Sequence, residues 1–315
     1  MIIVTGGTGF IGSQLVRALN QRGREDLLVA DDFEDGRKLQ NLAGCQVHDV
    51  VDRGWLLERL LSGRDLAEPV DAFFHQGARA DTRDWNGSRM LQDNFEYSKA
   101  VLAWCSERGI PLIYASSASV YGGGREFGEE PRNEHPLNPY AWSKLLFDQL
   151  VRRRRPELRS QVVGLRYFNV YGPGESHKGD MASVAHKLYL QLQQGNRIEL
   201  FEGSHEFGPG EQRRDFIHVS DCIAVNLWFF DHPEQSGIFN VGTGRAQTFN
   251  DVANAVVRHF GRGEIAYVPF PPGLRDAYQS YTQADVRALR KAGYENPFLD
   301  VEEGVSRYLR WLDAR

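Results

Sequence analysis

Met-Ile-Ile-Val-Thr-Gly-Gly-Thr-Gly-Phe-Ile-Gly, residues 1–12, is the stretch on which the fold turns. Met1 to Thr5 is an apolar run with the length of a buried strand. Gly6, Gly7, Gly9 and Gly12 follow at once, and Leu15, Val16 and Leu19 then recur with helical spacing until Gly23. Strand, glycine loop and helix in that order predict a tight turn whose backbone N–H groups can approach a pyrophosphate at the helix N-terminus. The glycine spacing is Gly-x-x-Gly-x-x-Gly rather than the commoner Gly-x-Gly-x-x-Gly, and the flanking strand and helix give it meaning. Gly6, Gly9, Phe10, Ile11 and Gly12 are therefore candidate dinucleotide contacts.

Working outward, Leu27 to Ala30 reads as a second strand ending in Asp31-Asp32. A carboxylate about 20 residues past such a loop ordinarily accepts from the ribose 2′-hydroxyl of NAD. Arg37 and Lys38 follow closely and Arg53 lies within reach, and cations there suit a 2′-phosphate instead. The local chemistry leaves NAD and NADP both open. Val70 to His75 is a further strand running into Gln76-Gly77-Ala78, and Asp93-Asn94 precedes a helix from about 95 to 108. Ile110 to Ala115 and Val162 to Asn169 complete the strands of this half. Strands alternating with helices predict an α/β fold, a Rossmann-like doubly wound parallel sheet. The rhythm changes near Gly172, so residues 1–171 are expected to form the dinucleotide-binding domain, with some later segments returning to it. Residues 172–315 are expected to be mostly a smaller substrate-binding domain.

Composition narrows the class. The chain has 315 residues, 41% hydrophobic, with 37 basic and 42 acidic residues and a net charge of −5. Both signs are scattered, which argues against nucleic acid or an anionic membrane as partner. The one basic run, Arg152 to Arg155, ends an apolar helical stretch, where cations complement the helix dipole. Cys45, Cys105 and Cys222 are far apart and show no metal-ligand spacing, as expected of reduced thiols in a cytoplasmic protein. No apolar run approaches membrane-spanning length and no leader pattern opens the chain, so a cytoplasmic location and no metal are expected.

The chemistry is carried by Tyr140-Ala-Trp-Ser-Lys144, placed on a helix that continues through Leu145, Phe147 and Leu150. Residues four apart lie on one helix face, so phenol and ammonium can address one spot. A phenol has a pKa of about 10 in water, and a fixed ammonium nearby favours the phenolate. Ser117 ends a strand upstream, and ligands of open parallel sheets bind at the carboxyl ends of strands. Serine, tyrosine and lysine together suit hydride transfer between an alcohol carbon and a nicotinamide, with tyrosine moving the proton.

With the Gly6–Gly12 loop, Ser117, Tyr140-x-x-x-Lys144 and Arg214-Asp215-Phe216-Ile217, the chain resembles the extended short-chain dehydrogenase/reductase family. Longer stretches, among them Arg166 to Pro173, His177-Lys178-Gly179, Met181 to Ala185, Phe201-Glu202-Gly203-Ser204 and Tyr281 to Asp285, resemble its nucleotide-sugar epimerases acting on ADP-heptose. The resemblance implies NADP rather than NAD, an ADP-heptose substrate from lipopolysaccharide inner-core synthesis, and a homo-oligomer, specifically a pentamer. It implies Ser117, Tyr140, Lys144 and Lys178 as catalytic residues, Lys178 being a second base for the other epimer. It also implies cofactor contacts from Gln76, Gly77, Ala78, Asp93, Asn94, Lys144, Val170 and Lys178, beside Asp31, Asp32, Lys38 and Arg53. Substrate contacts would come from Asn169, Asp180, Lys187, Phe201, Glu202, Gly203, Ser204, Arg214 and Tyr278. The family often carries Asn, Ser and His where this chain has Asp93, Asp180 and Lys187, and the loop before Arg213 is longer here. A dehydratase would need an acidic pair where Ser117-Ala118-Ser119 stands. A UDP-hexose 4-epimerase shares the serine, tyrosine and lysine, and a dinucleotide sensor would not need them.

Overall fold

The computed structural model describes residues 1–66, 68–271 and 279–315. Strand β1 (Ile2–Thr5) is wholly buried and leads into helix α1 (Phe10–Gln21). The helix starts at Phe10, three residues before the apolar periodicity becomes visible, because the Gly6 turn is short. Then come β2 (Leu27–Asp31), β3 (Asp49–Asp52), α2 (Arg53–Leu61) and β4 (Ala72–His75). The next helix is interrupted: α3 (Gly87–Met90) passes through a π-helical turn (Leu91–Glu96) into α4 (Tyr97–Arg108). After these follow β5 (Leu112–Ser117), α5 (Pro139–Arg154), β6 (Val162–Tyr167), β7 (Asn169–Tyr171), α6 (Val184–Gln194), β8 (Arg197–Phe201), β9 (Arg213–Arg214) and β10 (Phe216–His218). The chain ends with α7 (Val219–Asp231), β11 (Gly237–Val241), β12 (Gln247–Thr248), α8 (Phe249–Phe260), β13 (Glu264–Val268), α9 (Arg287–Ala292) and α10 (Val301–Asp313).

Seven strands form one parallel sheet in the order β3-β2-β1-β4-β5-β6-β11. The strand order reverses between β1 and β4, the switch point at which such sheets bind ligands. β3 and α2 had no clear signal in the sequence, since Asp49–Asp52 is half exposed and carries only two apolar residues. The run from Val162 to Asn169 is split at Phe168, and its second part, β7, pairs with β10 away from the main sheet. Apolar cores lie on both faces of the sheet, one under α1 and α7 and one under α2 and α4. A separate core unites Leu188, Ile198, Val252, Val256, Val305 and Tyr308, from α6, β8, α8 and α10. β11 returns from beyond α7 to close the sheet against β6.

A buried ionic cluster ties α5 to the sheet. Arg166 on β6, fully buried, donates from Nε to Asp148 at 2.9 Å and from Nη1 to the Tyr121 hydroxyl at 3.0 Å, and its Nη2 meets Glu134. Asp148 on α5 also accepts from Tyr114 and Ser116 of β5, each at 2.9 Å. Burial pushes the Glu134 carboxyl up, but hydrogen bonds from Arg152 and Arg166 outweigh this and hold it below its usual range. Removing one member of a buried pair leaves a charge without compensation. Asp148→Ala is expected to lower unfolding free energy by about 3–5 kcal/mol, as read from urea denaturation of the two proteins.

Candidate active site

The glycine turn is built for close backbone approach. Gly6 has φ +67°, and a Cβ there would stand 2.5 Å from Gly77 Cα, so the ends of β1 and β4 touch through two glycines. At Gly12 a Cβ would fall 2.1 Å from the Gly6 carbonyl oxygen, which lets the first turn of α1 lie on the loop. Gly9 is the N-cap of α1 and offers no side-chain cap, and no acidic residue occupies the first turn. The N–H groups of this helix end are thus available to an anion, which fits a dinucleotide pyrophosphate.

Beside the turn lies a cleft of about 560 Å³. It brings together Gly6, Asp31, Asp32, Lys38, Arg53, Gly77, Ala78, Asp93 and Lys178. The Asp31 carboxylate is already occupied. Its Oδ2 accepts from Thr8 N at 2.9 Å and Thr8 Oγ1 at 2.6 Å, and its Oδ1 from Asp32 N at 2.8 Å and Lys38 Nζ at 3.0 Å. Four donors of its own chain thus hold the Asp31 carboxylate at the edge of the cleft. Arg37 turns to solvent and pairs with Asp35. Arg53 stands 3.0 Å from Asp93 and 4.0 Å from Asp32. Asp93 is also held by Arg79 at 2.8 Å.

Other expected cofactor residues lie behind the cleft rather than on it. Buried Asn94 sits in the π-helical turn, accepts from Arg79 N at 2.8 Å and donates to Arg79 O and Ser143 Oγ, each at 3.0 Å. It pins the Arg79 loop to α5, so its side chain is not presented to a ligand. The Gln76 side chain bonds Asn226 and Tyr167. Val170 lies on β7 against the sheet core, and the Phe10 ring sits under the Lys178 ammonium at 5.4 Å. The acids and arginines of residues 79–83, Arg79, Asp81 and Arg83, also line this cleft. Sequence reasoning passed over them, although the charged run directly after a strand's C-terminal end was the available signal.

At the end of β5, Ser117 stands beside the Tyr140 phenol. Desolvation raises the phenol pKa, and Ser117 opposes that rise. Lys144 is buried, with Nζ 2.8 Å from the Ala115 carbonyl and 6.0 Å from the centre of the Tyr140 ring. Burial pulls its pKa down to about 8, and Asp148 opposes that fall. Its ammonium is directed at the strand carbonyl. Neutral His75 lies below the cleft, bonded through its two ring nitrogens to Thr5 and Ser98, and burial lowers its pKa to about 3.

The expected substrate residues are dispersed. Phe201 ends β8 and stacks on Phe270 at 4.6 Å, and the exposed Glu202 follows. A Cβ at Gly203 would fall 2.4 Å from Phe207 O, so the loop needs glycine there. Ser204 is buried, 2.9 Å from Ser280 Oγ. The Arg214 guanidinium is buried over the Phe249 ring at 5.7 Å. Exposed Asn169 accepts from Thr282 Oγ1 at 3.3 Å. Asp180 is exposed and pairs with Arg83 at 3.3 Å, and Lys187 is exposed on α6. Tyr278 lies outside the described residues. Among those residues no group of side chains is arranged to hold a metal ion, and no helix is long and apolar enough to cross a membrane.

Residues 2–242 match the NAD dependent epimerase/dehydratase family. The chain is 55% identical over 309 residues to an ADP-L-glycero-D-manno-heptose-6-epimerase of Alkalilimnicola ehrlichii, covering 98% of this chain and 96% of that protein. Among solved structures it is similar to the Helicobacter pylori ADP-L-glycero-D-manno-heptose-6-epimerase, with a TM-score of 0.85 at 30% identity over 100% of this chain and 96% of the other. A UDP-glucose 4-epimerase of Thermotoga maritima superposes with a TM-score of 0.80 at 26% identity, covering 99% and 98% of the two chains. By fold, by the glycine turn beside the switch point and by these similarities, the chain belongs to the NAD dependent epimerase/dehydratase family.

Proposed function

We propose that this chain is an ADP-heptose 6-epimerase that interconverts ADP-D-glycero-β-D-manno-heptose and ADP-L-glycero-β-D-manno-heptose. The observation that carries the proposal is the placement of Ser117 and the Tyr140 phenol together at the end of β5, in a chain 55% identical over 98% of its length to such an epimerase. A nicotinamide dinucleotide held by the glycine turn, Lys38 and Arg53 would supply the means of withdrawing a hydride from C6 and returning it to the opposite face. Tyr140 takes the proton from the C6 hydroxyl, and Ser117 orients that oxygen. Lys144 holds the end of β5 through Ala115 and offers its ammonium to the ribose and the forming phenolate. Lys178, which lines the cleft, serves the oxygen of the other epimer. A lysine acts as a base only when its pKa is lowered. Burial lowers that of Lys178, Glu175 opposes the fall and Lys187 adds to it.

For the cofactor, NADP is the form proposed. Asp31 is closed by Thr8 and Lys38, while Lys38 and Arg53 line the cleft where the 2′-phosphate would lie. Lys38→Ala is expected to weaken NADP relative to NAD by roughly 10- to 100-fold, the scale of one charge-assisted hydrogen bond, measured by fluorescence titration of each cofactor. A cytoplasmic homo-oligomer, a pentamer by resemblance, completes the proposal.

Tyr140→Phe is expected to lower the epimerisation rate by about 10²–10⁴-fold without loss of bound dinucleotide, with NMR of the heptose product as the readout. Full activity in that variant, or turnover of UDP-galactose in place of ADP-heptose, would overturn the assignment. The pH dependence has a definite sign. Lys144 is charged below its pKa of about 8 and neutral above it, so activity that needs the ammonium falls as pH rises through that value. In Lys144→Met the plateau drops and this alkaline limb disappears from the kcat profile.

A further inference from the structure

Lys178 sits in a segment, residues 172–183, that joins β7 to α6 and contains only a short 3-10 turn. Such a segment has little intrinsic means of holding a side chain in place. One carboxylate stitches both of its ends. Glu175, fully buried, accepts at Oε1 from Gly172 N at 3.1 Å and from Ser183 Oγ at 2.7 Å, and at Oε2 from Ser183 N at 2.5 Å. Ser183 is the N-cap of α6, accepting from His186 N, so the carboxylate also anchors the segment to a helix. The Tyr308 hydroxyl of α10 bonds His186 Nδ1 at 3.0 Å beside the same carboxylate, and the Glu175 carbonyl accepts from Lys178 N at 2.9 Å. From the other side, Asn41 Nδ2 donates to Thr8 O at 2.9 Å and Gly174 O at 3.2 Å, fastening the segment to the glycine turn.

We propose that Glu175 is the positioning residue of the second base: it closes the 172–183 segment into a loop that aims Lys178 over Phe10 into the cleft. The inference rests on the assignment of Lys178 as the base for the second epimer. Glu175 touches neither cofactor nor substrate in this role. It acts through loop closure and through its charge, which is the negative group acting on the Lys178 ammonium. The charged groups that act on Lys178 are Glu175 of its own segment and Lys187 of α6; neighbouring His177, and Asp31 and Lys38 that act on His177, line the same cleft. His186 of α6 faces Glu175 itself.

The test compares Glu175→Gln, Lys178→Met and the double variant in the full-length protein with its dinucleotide bound. A misplaced catalytic group costs about 10²-fold in rate, so Glu175→Gln is expected to lower kcat by about that factor with KM little changed. The double variant is expected to be no slower than Lys178→Met alone, since two residues acting as one unit are not additive. A second readout is independent of turnover. The pH dependence of amine labelling at Lys178, followed by peptide mass spectrometry, should move to lower pH in Glu175→Gln, because a negative neighbour is lost. Unchanged kcat and labelling in Glu175→Gln, or multiplicative losses in the double variant, would overturn the proposal. Full activity in Lys178→Met would remove the two-base assignment and this inference with it. A labelling shift beside full activity in Glu175→Gln would overturn the positioning role while leaving Lys178 as base.

Discussion

The contact between Arg166 and Asp148 is the constraint on which the rest of the structure depends. The two charges are 2.9 Å apart and fully buried, an arrangement that is favourable only when each remaining donor and acceptor is matched. Tyr114, Ser116, Tyr121 and Glu134 do the matching. Because Arg166 stands opposite Ser116 in the β5–β6 ladder, and Asp148 lies one turn past Lys144 on α5, the cluster fixes helix against strand in one register. Ser117 and Tyr140 are thereby set at a fixed separation. A site whose proton transfer needs hydrogen-bond geometry has thus been placed beside a fully matched buried cluster.

On the opposite side of the cleft the organisation is looser and more electrostatic. Asp31, Asp32 and Asp93 alternate with Lys38, Arg53 and Arg79, and every one of these acids has a basic neighbour. Such a wall is polar yet locally neutral. It can exchange an internal partner for a phosphate without leaving a bare charge behind, provided the displaced carboxylate keeps a second cation. Asp93, held by both Arg53 and Arg79, meets that condition.

How much of this was legible beforehand depended on the range of the interactions. The turn at Gly6–Gly12, strands β1, β2 and β4, and helix α5 are written in local pattern, because glycine, apolar runs and helical spacing are properties of a few consecutive residues. Their order was enough to anticipate a parallel sheet. β3 escaped because a half-exposed edge strand has no strong pattern, and the break at Phe168 because β7 exchanges partners through contacts far along the chain. In the site, Tyr140 and Lys144 could be paired from spacing alone. What spacing could not show is where each polar head finds its hydrogen bond. Lys144 is turned to Ala115, Asp31 is closed by Thr8 and Lys38, and Asn94 is consumed by Arg79 and Ser143, all through partners distant in sequence.

The return of β11 to the sheet carries a consequence for how the protein assembles. The strand at the β6 edge is made only after α6, β8, β9, β10 and α7 have been traversed, so the dinucleotide sheet cannot be completed by the N-terminal half of the chain. Emerging from synthesis, that half exposes the open edge of β6, a strand buried on both faces in the finished protein, and open edges recruit unwanted strands. Long-range parallel pairing is slow to form. Part of the second core, α6 and β8, is thus synthesised before the sheet is closed, while α8 and α10 follow β11, so the two cores are interleaved along the chain and the open β6 edge is exposed between the synthesis of β6 and of β11.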